Sequence, residues 1–196
     1  RGNLYGVAGI IIAVGATLAS VDGGITAIII AVLLGAGIGI PIANKVEMTQ
    51  MPQLVAAFNG LGGAASVLVA GAQVVSQPDM STAVAVACAV ATLIGGVTAT
   101  GSLVALLKLQ GTWISSGAIT ASWLKVLNVV LVFGSIGAAV WLGLQPEIPL
   151  SFALLVMLSG LLGVTLVVPI GGADMPVVVA LLNSYSGLAA CGTGFA

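Results

Sequence analysis

Histidine is absent from this sequence of 196 residues, and charged side chains make up only 5% of it. Water-soluble domains carry roughly 25% charged residues, so the composition excludes an ordinary soluble fold. With four Lys and Arg residues and a net charge of -1, the chain lacks the basic surface that binds nucleic acid, and no nucleic-acid partner is expected. Without histidine it also lacks the usual metal ligand and the usual proton carrier within a membrane.

The absence of histidine also limits the enzyme chemistry that this chain could perform. Serine and threonine are plentiful, but no histidine can act as their base, and no Ser–Lys pair lies at membrane depth. The two cysteines, Cys88 and Cys191, lie in apolar runs without metal-ligand spacing and are expected to be small buried residues. We therefore predict no catalytic, no cofactor-binding and no metal-binding residue in this chain.

Long hydrophobic runs are what the sequence does contain: 60% of its residues are hydrophobic, and its mean hydropathy is +1.28. A membrane-spanning helix needs about 20 apolar residues, whereas barrel strands alternate over about 10. The pattern predicts an all-α, polytopic transmembrane helical bundle in the lipid bilayer, with residues 1–196 forming one transmembrane domain. Its seven predicted spans cover residues 4–20, 25–43, 52–75, 82–107, 123–144, 150–169 and 176–193. Residues 108–122 are expected to form a weakly polar loop.

The charges indicate which way the spans run. With seven alternating spans, every basic residue falls on one face of the membrane: Arg1, Lys45, Lys108 and Lys125. The acidic residues of the opposite loops are Asp22, Asp79 and Glu147. The positive-inside rule then predicts that the amino end and the loop containing Asp174 are cytoplasmic. We expect Lys108 and Lys125 to anchor the ends of their spans.

Polar residues occur inside three of the spans. Asn59 and Asn183 each lie seven residues beyond a helix-starting proline, about 10 Å into a span at 1.5 Å per residue. Ser102 lies about 9 Å from the same face. This common depth predicts a polar path with Asp174 at its entrance. The alternative is purely structural: each buried group hydrogen-bonds a neighbouring helix, and Asp174 interacts with a helix amino terminus.

Glycine is abundant, with 28 residues. The small-residue spacings at Gly35 and Gly39, and at Gly96 and Gly101, predict close helix packing rather than a phosphate-binding loop, because they lie inside apolar spans.

Four stretches resemble one known family: residues 46–60, residues 95–103, residues 108–111 and the run from Ile170 to Gly187, which includes GGADMPVV and LNSYSG. They are similar to the membrane domain of proton-translocating nicotinamide nucleotide transhydrogenase, in its β-subunit portion. The resemblance implies that Asn59, Ser102 and Asn183 belong to a proton path and that Asp174 belongs to its entrance and coupling region. Asn59 stands where many members carry a histidine. Since an amide does not exchange a proton at neutral pH, water or a group on a partner chain must carry the proton there.

The same resemblance implies the partners. NAD(H) and NADP(H) would be bound by partner domains outside the bilayer, and this chain would bind no cofactor itself. Membrane helices of the α subunit would complete the domain, the whole assembly would be a homodimer, and the protein would lie in the inner membrane of a bacterium. The family pattern has one further span on each side of these residues and a downstream NADP(H)-binding domain. Two alternatives stay open, namely a secondary transporter whose substrate binds the mid-membrane polar residues and a structural membrane scaffold.

Overall fold

The computed structural model describes residues 2–20, 23–111 and 113–194. Two charges used to predict the topology, Arg1 and Asp22, lie outside the described residues. Within the described ranges the chain forms seven α-helices and no β-strand, which confirms the predicted all-α class. The helices are α1 (Gly2–Ser20), α2 (Ile25–Lys45), α3 (Met51–Ser76), α4 (Thr82–Gln110), α5 (Ser122–Leu144), α6 (Pro149–Val167) and α7 (Met175–Gly194). Short 3-10 turns, Met48–Gln50 and Gly172–Asp174, lead into α3 and α7.

Most helix boundaries follow from local chemistry that the sequence displays. Proline occupies the first turn of α3 and of α6, where its missing N–H costs no hydrogen bond. Ser81 caps α4 as its sequence position suggests, and its hydroxyl accepts a hydrogen bond from the Val84 N–H at 3.4 Å. The helix ends at Gly111, whose φ of +67° is unfavourable for residues with a Cβ.

Six of the described helices are long and apolar enough to cross a membrane. The exception is α1, whose described apolar stretch, Leu4–Ala19, is shorter than the roughly 20 apolar residues that a membrane crossing needs. The structure therefore supports a multi-pass membrane protein with six spans of sufficient length, one fewer than the seven predicted.

The chain divides into two compact units, the first ending at Val46 and the second beginning at Glu47. The first unit contains α1 and α2, and α2 has no buried residue. The second contains α3 to α7. The predicted single domain over residues 1–196 stays a prediction.

Helix α4 is the centre of the second unit, where it packs against α3, α5, α6 and α7. Its buried positions are mostly Ala, Gly, Ser and Thr, small residues that let helices approach closely in a membrane protein. Large apolar side chains instead point outward, including Leu68 and Phe133, which are 73% and 70% exposed. A lipid bilayer accommodates this surface, whereas water does not.

Helices α3 and α4 approach each other closely at two glycines. A Cβ added to Gly63 would lie 2.7 Å from the backbone oxygen of Gly95 and from the backbone nitrogen of Ala99. A Cβ added to Gly95 would lie 2.8 Å from the Gly63 oxygen. Glycine at both positions therefore brings the two helix backbones into contact and sets the separation of the side chains on either side.

The glycine predictions have mixed outcomes. Gly96 and Gly101 mediate close packing as predicted, since an added Cβ would meet Ser159 at 2.9 Å and Val167 at 3.2 Å, respectively. At Gly35 and Gly39 an added Cβ meets nothing within 4 Å, and their role in helix packing stays a prediction. They belong to the largely exposed α2, which has no neighbour close enough in its own unit.

Two further predictions are corrected. The stretch 108–122 is not all loop, because α4 continues for three residues beyond the predicted end and α5 begins at Ser122. Cys88 is buried as predicted, but Cys191 is exposed. It follows the buried Ala189 by two positions on α7, which places it about 200° around the helix from that buried face.

Candidate functional site

The buried face of α3 carries one amide among small residues. Its buried positions recur every three or four residues and are Ala56, Asn59, Gly63, Ser66, Ala70 and Val74. This spacing places all six on the stripe that packs against α4. Asn59 is 6% exposed, and an amide buried in an apolar bundle needs partners for both its nitrogen and its oxygen.

Ser102 of α4 satisfies the nitrogen. Asn59 Nδ2 donates to Ser102 Oγ at 2.8 Å, and Ser102 is fully buried. The contact lies beside the close approach of α3 and α4, where a Cβ added to Gly60 would meet the Ser102 Cβ at 3.3 Å. Two of the residues predicted for the site are therefore in direct contact.

Ser186 of α7 satisfies the oxygen. Its hydroxyl donates to Asn59 Oδ1 at 2.6 Å and also contacts the Leu182 carbonyl oxygen at 3.3 Å. The amide of Asn59 thus joins three helices through its two ends. We call Asn59, Ser102 and Ser186 the polar cluster.

Asn183 is not a member of the polar cluster in this structure. Its side chain is exposed on α7, whereas Ser186, three residues later, is half-buried against Asn59. The buried positions of α7 include Met175, Val179, Leu182 and Ala189, a three-and-four spacing that Ser186 completes and Asn183 does not. That stripe was the available sequence signal for Ser186. The functional assignment of Asn183 stays a prediction.

Two threonines of α4 extend the polar region away from Ser102. Thr98, one turn earlier, is fully buried, and its Oγ1 has no hydrogen-bond partner among the described residues. Thr100 is satisfied, since its Oγ1 donates to the Gly160 carbonyl oxygen of α6 at 2.8 Å. The hydroxyl on the α3 side is therefore unpaired within the described part of the chain, whereas the one on the α6 side binds a neighbouring helix.

Asp174 is exposed and lies in the 3-10 turn Gly172–Asp174, directly before α7. The amino terminus of α7, the carboxyl end of α4 and the amino end of α5 lie at one end of the second unit, because neighbouring helices joined by short connections run in opposite directions. Asp174 is therefore at an end of the bundle, as predicted, and not within it.

Lys108 is the residue whose environment the sequence did not predict. It was expected to anchor a span end with its charge in water, but it is fully buried. Its Nζ donates to three backbone carbonyl oxygens, those of Gly117 at 2.9 Å, Val168 at 2.6 Å and Ile170 at 2.7 Å. The loop after α4 folds back over the lysine and provides one of these acceptors, which is why the side chain does not extend into solvent.

The chemistry available to the polar cluster is that of hydrogen-bond exchange. Hydroxyl groups donate and accept, and an amide does both at separate atoms. None of the three side chains gains or loses a proton near neutral pH, so the polar cluster orients polar partners and does not store a proton.

The comparison with known proteins identifies the family. Residues 1–196 match the family model described as NAD(P) transhydrogenase beta subunit. The chain belongs to this family. Two relatives from Rhodospirillum rubrum, one assigned to a specified strain, are named NAD(P) transhydrogenase subunit beta and are each 40% identical to it over 204 residues. The match covers 100% of this chain and 44% of each relative, so the chain spans less than half of their length.

Membership of the NAD(P) transhydrogenase beta subunit family confirms the resemblance found in the sequence. The family and the six membrane-length helices together support a multi-pass membrane protein. Neither the secondary transporter nor the structural scaffold gains support from these relatives.

Proposed function

We propose that this chain forms the proton-conducting part of a transhydrogenase, in which proton movement across the membrane is coupled to hydride transfer between NAD(H) and NADP(H). The observation that carries the proposal is the polar cluster, in which a buried amide joins hydroxyl groups of α4 and α7 at 2.8 and 2.6 Å. Polar groups inside a membrane bundle are costly to bury, and those that are retained often lie on ion or proton paths. The family gives the cluster its context.

Each member has a distinct role in this proposal. Asn59 is the centre, because it replaces the histidine that the family often carries and contacts both hydroxyl groups. Ser102 and Ser186 provide hydroxyl groups that reorient when a proton passes along neighbouring water. Asn183, three residues before Ser186 on α7, would meet the same path from the exposed side of the helix, against a partner chain.

Thr98 extends the path beyond the polar cluster. A buried hydroxyl without a protein partner is normally satisfied by ordered water, and Thr98 lies one turn from Ser102 on the same helix. A water-filled stretch from Ser102 to Thr98 would let a proton move without any titratable side chain. This accounts for proton passage in a chain that lacks histidine.

The remaining assignments follow from the family. NAD(H) and NADP(H) would be bound by partner domains outside these residues, with the NADP(H)-binding domain next to Asp174. The α-subunit helices would cover part of the exposed apolar surface, and the assembly would be a homodimer. The amino end and the Asp174 turn would face the cytoplasm from the inner membrane of a bacterium.

The test uses the complete enzyme reconstituted in sealed vesicles, with proton uptake driven by NADPH oxidation and hydride transfer measured in the same sample. Asn59→Leu, which nearly preserves side-chain volume, and Ser102→Ala should each abolish most of the proton uptake. Asn128→Leu is the matched control, because Asn128 is also an asparagine in a membrane helix but, among the described residues, bonds only the Thr165 carbonyl oxygen, at 3.4 Å.

The result that defeats the proposal is equally specific. If Asn59→Ala, Ser102→Ala and Asn183→Ala all leave proton uptake and hydride transfer at wild-type rates, the polar path does not exist. If Asn128→Leu reduces proton uptake as much as Asn59→Leu does, the effect belongs to membrane asparagines in general and not to the polar cluster.

A further inference from the structure

Lys108 occupies a position that the proposed proton path does not explain. It lies on α4 six residues beyond Ser102, near the end of the helix, and its exposed fraction is 0%. Burial of a lysine ammonium is costly unless strong hydrogen bonds replace its water. Here three backbone carbonyl oxygens replace it, at 2.6–2.9 Å.

The three acceptors come from two separate segments. Val168 directly follows α6, where helix-end carbonyls lack intrahelical partners and the helix dipole is negative, and Ile170 lies two residues further on. Gly117 belongs to the loop between α4 and α5. Since an ammonium has three hydrogens, all of its donors are used, and Lys108 is held by backbone dipoles rather than by a carboxylate.

The two segments are also joined to each other. The Gly172 N–H donates to the Ser116 carbonyl oxygen at 2.7 Å, and Ser116 Oγ donates to the Lys108 carbonyl oxygen at 3.1 Å. Gly172 opens the turn that ends at Asp174. The Asp174 turn is therefore docked on the α4–α5 loop, and both are fastened to α4 through Lys108.

We propose that Lys108 is a positioning residue that fixes the Asp174 turn relative to α4. Because Ser102 lies on the same helix, Lys108 thereby also fixes the position of the turn relative to the polar cluster. The coupling half of this inference rests on the proposed proton-conducting function, whereas the docking half does not. A neutral apolar side chain of the same length would fill the space but would leave the carbonyl oxygens of Gly117 and Ile170 without this donor. Among the described residues, the Val168 oxygen would keep only the Ile119 N–H, at 3.5 Å.

The test measures hydrogen exchange and coupling in the complete enzyme reconstituted in vesicles. In Lys108→Met, amide exchange in residues 113–121 and 168–175 should rise by about tenfold or more. These segments then open locally without having to break hydrogen bonds to the ammonium group. The number of protons taken up per hydride transferred should fall by about threefold or more, the size expected when a coupling network is cut. Lys125→Met, at an exposed lysine near the same end, is the matched control and should leave both unchanged.

Lys108→Gln provides a second variant in case Lys108→Met does not assemble, because its amide retains two donors and should give intermediate exchange.

Wild-type exchange in both segments overturns the inference. So does a rise spread evenly over α3 to α7, which would make Lys108 an ordinary core residue. Raised exchange with an unchanged proton-to-hydride ratio overturns the coupling role. Absence of proton uptake in the unmodified enzyme would defeat the proposed function and leave the exchange result standing.

Discussion

The hydroxyl of Ser186 lies 2.6 Å from the amide oxygen of Asn59, although the two residues are 127 positions apart in the sequence. This bond is the link between α7 and the α3–α4 pair in the polar cluster. Asn59 is only 6% exposed, so its amide oxygen has little access to solvent when the hydroxyl is removed.

Ser186→Ala should therefore destabilise the bundle by about 1 kcal/mol, the size of a hydrogen bond between membrane helices. It should also slow proton uptake in the reconstituted enzyme. Thermal unfolding in detergent and the vesicle assay measure the two effects. Ser184→Ala, at an exposed position of the same helix, is the control. Equal effects of the two variants would contradict the assignment of Ser186 to the cluster.

Much of this architecture could be predicted from the sequence, because membrane helices are encoded by long apolar runs and their ends by proline, serine and glycine. The similar depth of Asn59 and Ser102 also followed from counting residues at a constant rise per residue, whereas their direct contact did not. What could not be predicted by counting is the rotation of a helix about its axis. Asn183 and Ser186 differ in depth by less than one turn, and only the packing stripe of α7 decides which one faces α3.

Lys108 shows a second limit of the sequence. A lysine at the end of an apolar run normally extends its charge into water, and nothing in the composition of residues 113–121 indicates that the loop returns over it. The three carbonyl acceptors are backbone groups, which every residue carries. A site built from main-chain atoms leaves little trace in the identity of its side chains.

Gly63→Ala tests the close approach of α3 and α4. Its Cβ would lie 2.7 Å from backbone atoms of Gly95 and Ala99, so the helices must separate, at a cost of about 1–3 kcal/mol. Gly62→Ala is the control, since a Cβ there meets nothing within 4 Å. Thermal unfolding of the two variants in detergent compares them directly, and a Gly63→Ala variant as stable as Gly62→Ala would show that the helices do not touch there.

Thr98→Val should have opposite effects on stability and function. The substitution preserves shape and removes a buried hydroxyl that has no partner in the described part of the chain, so stability should be unchanged or slightly higher. Proton uptake should nevertheless fall if the hydroxyl lines the path. Thr100→Val, which loses the bond to Gly160, should lower stability by about 1 kcal/mol. A Thr98→Val variant destabilised as much as Thr100→Val would mean that the Thr98 hydroxyl has a structural partner.

Asp174→Asn should leave folding intact and impair coupling. The carboxylate is exposed, and surface substitutions usually change stability by less than about 0.5 kcal/mol. If Asp174 contacts the NADP(H)-binding domain, coupled turnover in vesicles should fall severalfold. Asp79→Asn, at an exposed carboxylate in the turn between α3 and α4, should retain normal turnover. Normal coupled rates in Asp174→Asn would reduce its role to a helix-end charge.

The direct passage of the Asp174 turn into α7 has a mechanical consequence. Twelve residues separate Asp174 from Ser186, about 18 Å along a helix, and a hydrogen-bonded helix moves as a rod. A displacement of the Asp174 end of α7 therefore also displaces Ser186, and no chain of side-chain contacts is needed between them. The 2.6 Å bond between Ser186 and Asn59 tolerates little travel, since a displacement of about 1 Å away from Asn59 would lengthen it to about 3.6 Å and break it. A small movement at the membrane surface is thus enough to open a contact deep inside the bundle.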